Sequence, residues 1–174
     1  MPNRTMPELE AGIEEIRSSP KQEGRLEWIV RRPAKNKREV LEEGELTIDG
    51  GLSGDCWSRV DRNLDYQITL MNSRTVALVA GELERWALAG DQLYVDMDLS
   101  AANLPAGTRL EIGSAEIEIT SEPHTGCGKF AARFGVDAVK FVNSPLGRQL
   151  NLRGVNARVV KAGRISKGDA VRKK

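Results

Sequence analysis

The alternation of apolar and polar positions along the chain predicts a series of short strands. Leu26 to Val30 is rich in β-branched and aromatic residues and reads as the first of them. Glu39 to Ile48 is the next, closed by the glycine-rich turn Asp49 to Asp55, which lacks the lysine and spacing of a P-loop and so predicts no nucleotide site. Tyr66 to Met71 alternates like a strand. Asn72 then suits the N-cap of an amphipathic helix over residues 73 to 88, where Val76, Val79, Ala80, Leu83, Trp86 and Ala87 recur at helical spacing. Leu93 to Leu99 sets Leu93, Val95, Met97 and Leu99 on one face. Thr108 to Ile112 and Ala115 to Thr120 pair across Gly113-Ser114 as a hairpin.

Further on, Phe130, Phe134, Val136, Val139, Phe141 and Val142 predict two short helical pieces divided at Gly135 and ended by Asn143 to Gly147. Val155 to Lys161 reads as a strand, and Arg164 to Val171 as a last short strand interrupted by Lys167 to Asp169. Residues 1–24 are polar with a weak helical pattern at Leu9, Ile13 and Ile16, which fits either a docked helix or a loose tail. Short strands separated by glycine turns, with few helices, predict a mainly β, α+β domain over residues 25–174. Its expected form is a closed or partly open β-barrel with short helices packed over its ends.

Composition narrows the function classes. A chain of 174 residues fits one domain whose core needs no disulfides or metals. Its 26 Lys and Arg nearly balance 25 Asp and Glu, so no global field favours nucleic acid or an anionic membrane. No stretch resembles a secretory signal or reaches the roughly twenty apolar residues of a membrane span. With two cysteines, too few for a disulfide framework, the expectation is a cytoplasmic protein with reduced thiols. Nothing in the sequence specifies an oligomeric state.

The chemistry concentrates in Glu122 to Phe130, which holds the only histidine, His124, and one of the two cysteines, Cys127. Cys127 falls at a strand-to-helix turn between two glycines. A thiol there is stabilised as a thiolate by the helix start and by Lys129 and Arg133, which makes it a nucleophile. The competing reading is a buried cysteine acting as a small hydrophobe, although His, Thr, Gly and Lys are poor core neighbours. The run from Arg31 and Arg32 to Arg38 is either a solvated loop or a phosphate-binding rim. Asp55 caps a local backbone donor on the simplest reading.

Several blocks in order then carry a family resemblance: Gly51 to Asp55, Leu99-Ser100 with Asn103-Leu104, His124 to Cys127 with Lys129-Phe130, Arg133 to Gly135, Phe141 to Ser144, Gly147-Arg148, Leu152 to Gly154, Asn156 to Val160, Gly163, and Gly168-Asp169. From about Leu26 onward the chain resembles the MOSC domains, named for the C-terminal domain of molybdenum cofactor sulfurase. The resemblance implies a β-barrel with a cysteine that carries sulfur as a persulfide or ligates molybdenum. By position that cysteine is Cys127. Two departures stand out: Pro123-His124 replaces a Pro-Cys pair found in many members, and Cys56 follows the Gly-Asp pair where many have arginine.

As a sulfur carrier, the chain would use His124 to manage protons. Sulfur would come from a partner cysteine desulfurase, and pyridoxal phosphate would belong to that partner, since no lysine here stands in a Schiff-base motif. As a molybdenum-cofactor binder, it would offer Cys127 to the metal and Lys129, Arg133, Arg153, Arg31 and Arg32 to the pterin phosphate, with Asp55, Asn103 and Asn156 as further polar contacts. Such a holder would act with a molybdoenzyme partner, or as a reductase of N-hydroxylated compounds fed by an electron donor. The remaining reading is a non-catalytic binding module. Cys56, if it approached Cys127 within disulfide range, would resolve a persulfide or form a regulatory disulfide; otherwise the thiols are unrelated.

Overall fold

Alternating side chains give each strand two faces, and in the computed structural model, which describes residues 1–174, seven strands bend that pattern into a ring. Two short helices, α1 (Met6–Ala11) and α2 (Ile13–Arg17), precede β1 (Glu23–Arg31), β2 (Glu39–Leu41), β3 (Glu43–Thr47) and β4 (Gly51–Leu52). The short α3 (Trp57–Val60) leads to β5 (Ile68–Asn72), and α4 (Ser73–Ala80) with a 3₁₀ segment (Leu83–Ala89) crosses over to β6 (Leu93–Asp96). β7 (Arg109–Ile112) and β8 (Ala115–Ile119) form the hairpin. Three helices follow, α5 (Gly128–Phe134), α6 (Val136–Asn143) and α7 (Pro145–Gln149), and then β9 (Val155–Lys161), β10 (Gly163–Ser166) and β11 (Ala170–Lys173).

Around the ring the order is β1, β11, β7, β8, β9, β5, β6 and back to β1, which is the expected β-barrel. Only β5 and β6 run parallel, and the helical crossover between them supplies the connection that a parallel pair requires. β2 extends the sheet beside β1, while β10, β3 and β4 make a small second sheet. No helix is long and apolar enough to cross a membrane.

Period two, reset in β1 by the bulge between Leu26 and Trp28, decides which residues go inside. Leu26 and Ile29 of β1, Ile68 and Leu70 of β5, and Leu93 and Val95 of β6 fill the barrel. Their neighbours Val30, Met71 and Tyr94 point the other way and meet the helices through Leu9, Ile16, Val76, Phe130, Phe134 and Phe141. This wall is therefore covered on both sides, which explains its nearly continuous apolar runs. The segment before residue 25 is docked: Leu9 is fully buried, and the Met6 backbone N–H donates to Asp137 Oδ2 at 2.9 Å, tying α1 to α6.

Local boundaries differ from the sequence expectation at four places. The helix over 73 to 88 stops at Ala80, where the chain turns at Gly81, and resumes as the tighter 3₁₀ segment. The strand over 93 to 99 leaves its ladder at Asp96, because the Asp98 N–H turns to the Pro20 carbonyl at 2.8 Å; Met97 and Leu99 nonetheless stay in the core. Glu39 to Ile48 splits, its first part pairing with β1 and its second with β10. The interruption expected at Lys167 to Asp169 is present, with Gly163–Ser166 pairing with β3 and Ala170–Lys173 with β1 and β7. Pro145 starts a helix rather than ending one: it occupies the first turn, and Ser144 Oγ caps it by accepting from the Gly147 N–H at 3.0 Å.

Replacing Leu9 by Ala should destabilise the fold by about 2–5 kcal/mol in urea titration, as expected for a large-to-small change in a packed core. Val136→Ala, at an exposed position, should change stability by no more than roughly 0.5 kcal/mol.

Candidate functional site

The loop from β8 to α5 is held on both flanks. Asn156 Nδ2 donates to the Glu122 carbonyl at 3.1 Å on one side. On the other, Asn143 of α6 closes a two-way bridge with Gly126, accepting its N–H at 2.8 Å and donating to its carbonyl at 2.9 Å. Gly126 can sit that close to α6 because it lacks a Cβ, which would lie 2.8 Å from Val139 Cγ2. The bridge fixes the backbone one residue before Cys127, the N-cap of α5.

Cys127 is exposed and free, which excludes the reading of a cysteine sealed in the core. Its thiol pKa is held below the ordinary value, most of all by the backbone N–H of Phe130. Partial burial opposes this, while the Lys129 N–H and the charges of Arg153 and Lys129 support it. Cys56 is also free, but half-buried, and lines a cleft with His124.

At the centre of the site is a residue that the sequence did not single out. Asp91 lies between the 3₁₀ segment and β6 with its side chain fully buried; it receives Arg153 Nη1 at 2.6 Å on Oδ2 and faces His124 Nε2 at 2.8 Å on Oδ1. Burial pushes this carboxyl up, but the Arg153 charge and then His124 outweigh it and hold it below the usual carboxylate range. Arg153 also donates to the Ala89 carbonyl at 2.9 Å and lies over the Phe130 ring, 4.9 Å from its centroid, so it joins Asp91 to the helix that carries Cys127. Its Nε is buried without a partner.

Three arginines converge on successive carbonyls of this turn. Arg133 reaches Leu88 at 2.8 Å, Arg153 reaches Ala89, and Arg32 reaches Gly90 at 3.3 Å. Arg32 in turn grips Asp55 through Nε and Nη2 at 3.0 and 2.8 Å. Asp55, buried, also accepts the Trp57 N–H at 3.0 Å, the capping role expected for it. Burial pushes the Asp55 carboxyl up, and its hydrogen bonds and charge contact with Arg32 bring it below the usual range.

Two clefts meet at His124 and Asn156. One, of about 420 Å³, is lined by Thr125, Arg148, Arg153 and Val155 among others. The second, of about 410 Å³, is lined by Arg32, Cys56, Trp57, Tyr66 and Thr69. Thus His124, Arg153, Asn156 and Arg32 line the clefts, while Cys127, Lys129, Asp55 and Arg133 of α5, which reaches the adjoining turn, lie outside both linings. Two predicted residues stand apart. Arg31 is paired at the surface with Glu39, Nε to Oε2 at 2.8 Å. Asn103 is engaged by the carbonyls of Lys21 and Asp98 at 3.0 and 2.7 Å, outside both linings.

The sequence match to known families falls on the same ground, with the MOSC domain model covering residues 40–172. The chain belongs to the MOSC domain family. Crystal structures of small bacterial proteins share the fold. YuaD from Bacillus subtilis superposes with a TM-score of 0.60 at 17% identity, covering 86% of this chain and 94% of that one. YiiM from Escherichia coli gives 0.58 at 21%, covering 86% and 69%. YiiM from Geobacillus stearothermophilus gives 0.59 at 14%, covering 87% and 75%. No curated protein matches this MOSC chain by sequence.

Beyond Asp91, sequence reasoning also passed over the role of Asn143. It stood inside a recognised MOSC block, and its place just after a predicted apolar helix was the available signal. Gly90-Asp91-Gln92 offered less, since it reads as an ordinary polar turn.

Two measurements test the electrostatics. In a Cys56→Ser background, the alkylation rate of Cys127 against pH should have its midpoint below that of a simple thiol, and Arg153→Met should move it upward. Asp55 and Asp91 titrate lower folded than unfolded, so the stability they confer is complete above the unfolded carboxylate range, about pH 4. It is lost as pH falls through their folded values. Unfolding free energy should therefore decline on acidification below about pH 4, and Asp55→Asn should make that decline shallower.

Proposed function

We propose that the protein carries sulfur on Cys127. The observation that supports this most is an exposed thiol with a lowered pKa, held by the Asn143 bridge at the start of α5. In the step proposed, the Cys127 thiolate attacks the terminal sulfur of a persulfide on a partner cysteine desulfurase. A new sulfur–sulfur bond forms on Cys127, the partner's bond breaks, and the partner's cysteine leaves as a thiolate. No net electrons are exchanged. Pyridoxal phosphate acts within that partner, where the persulfide is made. His124, in the same loop, would take the proton of the transferred sulfur and return it to the departing thiolate of the partner.

A second reading, binding of the molybdenum cofactor, draws support from the cleft of about 420 Å³ and from the buried Arg153 Nε, a donor with no protein acceptor. The donor set is compatible with such a group. Cys127 is a soft thiolate for the metal, Arg153 and Asn156 offer donors to a pterin, and Lys129 and Arg133, in no ion pair, offer charge to a phosphate. No cluster of three or more His, Cys, Asp or Glu could hold a metal unaided, so molybdenum would depend on ligands of its own pterin. When bound, the cofactor would supply two-electron redox chemistry such as reduction of N-hydroxylated compounds.

Incubation with a cysteine desulfurase and cysteine should add one sulfur atom to the peptide containing Cys127, by mass analysis. Cys56→Ser should keep the gain and Cys127→Ser should lose it. A gain confined to Cys56, or none, would sink the carrier reading; molybdenum and pterin found in the purified protein would then favour the cofactor reading.

A further inference from the structure

We infer that Asp91 is a positioning residue that fixes the proton of His124 on Nε2 and leaves Nδ1 as the nitrogen that exchanges protons with the occupants of both clefts. An ionised carboxylate is acceptor only, and both of its oxygens are occupied here: Oδ2 by Arg153 Nη1 at 2.6 Å and Oδ1 by His124 Nε2 at 2.8 Å. Nε2 must therefore donate. A neutral imidazole carries one N–H, so Nδ1 keeps its lone pair, and no protein group pairs with it.

The alternative proton placement is disfavoured by the surroundings. A neutral Asp91 donating to Nε2 would leave the guanidinium of Arg153 in a buried contact without its counter-charge, and both side chains are nearly or fully covered, at 9% and 0% exposure. Arg153 cannot swing away freely, since Nη2 is engaged by the Ala89 carbonyl at 2.9 Å. Backbone also packs closely against the imidazole: at Gly154, φ +116°, any Cβ would lie 3.2 Å from His124 Cδ2 and 2.2 Å from the Leu70 carbonyl. Ring and carboxylate are thus fixed relative to each other. His124 lines both clefts, and Nδ1 is its one ring nitrogen without a protein partner.

The proton placement stands by itself, whereas its use in sulfur loading rests on the function proposed above. The chain has a single histidine, so long-range ¹H–¹⁵N spectra of the labelled full-length protein report this ring without ambiguity. The expected neutral form has N–H at Nε2 and a bare Nδ1. In Asp91→Asn, Arg153 claims the one remaining oxygen and the amide N–H₂ faces the ring, so the proton should move to Nδ1. That variant should also slow sulfur loading of Cys127 by on the order of 10²-fold, the lower range for a lost proton-transfer group.

An Nδ1–H ring in the parent protein, or an unmoved proton in Asp91→Asn, overturns the assignment. A moved proton with undiminished loading overturns the role of Nδ1. Should Asp91→Asn fail to fold, the spectrum of the parent decides alone. A parent that shows Nε2–H yet never takes up sulfur leaves the proton placement intact and removes the carrier function instead.

Discussion

The buried carboxylate of Asp91 is the constraint around which this site is arranged. Taking a carboxylate out of water costs several kcal/mol, and the interior must offset that with charge and hydrogen bonds of good geometry. Here the compensation comes from two different parts of the chain, Arg153 before β9 and His124 after β8. Neither can move without leaving the charge exposed to an apolar interior. The positions of the turn before β6, the turn before β9 and the loop before α5 are consequently set together. Arg153 then extends the coupling through Phe130 to the helix that begins at Cys127.

The two-sided wall gives that arrangement a rigid base. Residues of β1, β5 and β6 alternate between the barrel interior and the helical layer, so neither layer can shift without disturbing the other. α6 contributes at two levels. Its apolar face, with Ala138, Phe141 and Val142, belongs to the outer core, and its last residue, Asn143, bridges to Gly126. A loop bearing an exposed thiol is thereby kept in place by hydrogen bonds between asparagine side chains and its backbone while the sulfur itself stays accessible.

Much of this was legible in the residues. Strands came from period-two alternation, and Cys127 drew notice because its neighbours are too polar and too small to build a core. Tertiary pairing was not legible in the same way. Whether Glu39 to Ile48 is one strand or two depends on which distant strands it meets, β1 or β10. Asp91 escaped for a related reason: its two partners lie 33 and 62 residues further along the chain, and nothing local marks an acidic residue in a turn as buried. The cationic run showed a further limit. Its residues look alike in sequence, yet Arg31 is spent on Glu39 and Arg32 on Asp55, while Arg38 keeps a buried Nε with no partner. Only the fold distinguishes a neutralised arginine from a bare one.

The pairing of β1 with β11 has a consequence for how the molecule is made. Residues 23–25 pair with residues 170–172, so the ring stays open until residues 170–172 have left the ribosome. During synthesis the earlier strands must wait with an uncovered edge, and such long-range closure is intrinsically slow. The nascent chain would therefore pass through an interval of aggregation risk in which chaperones have something to protect.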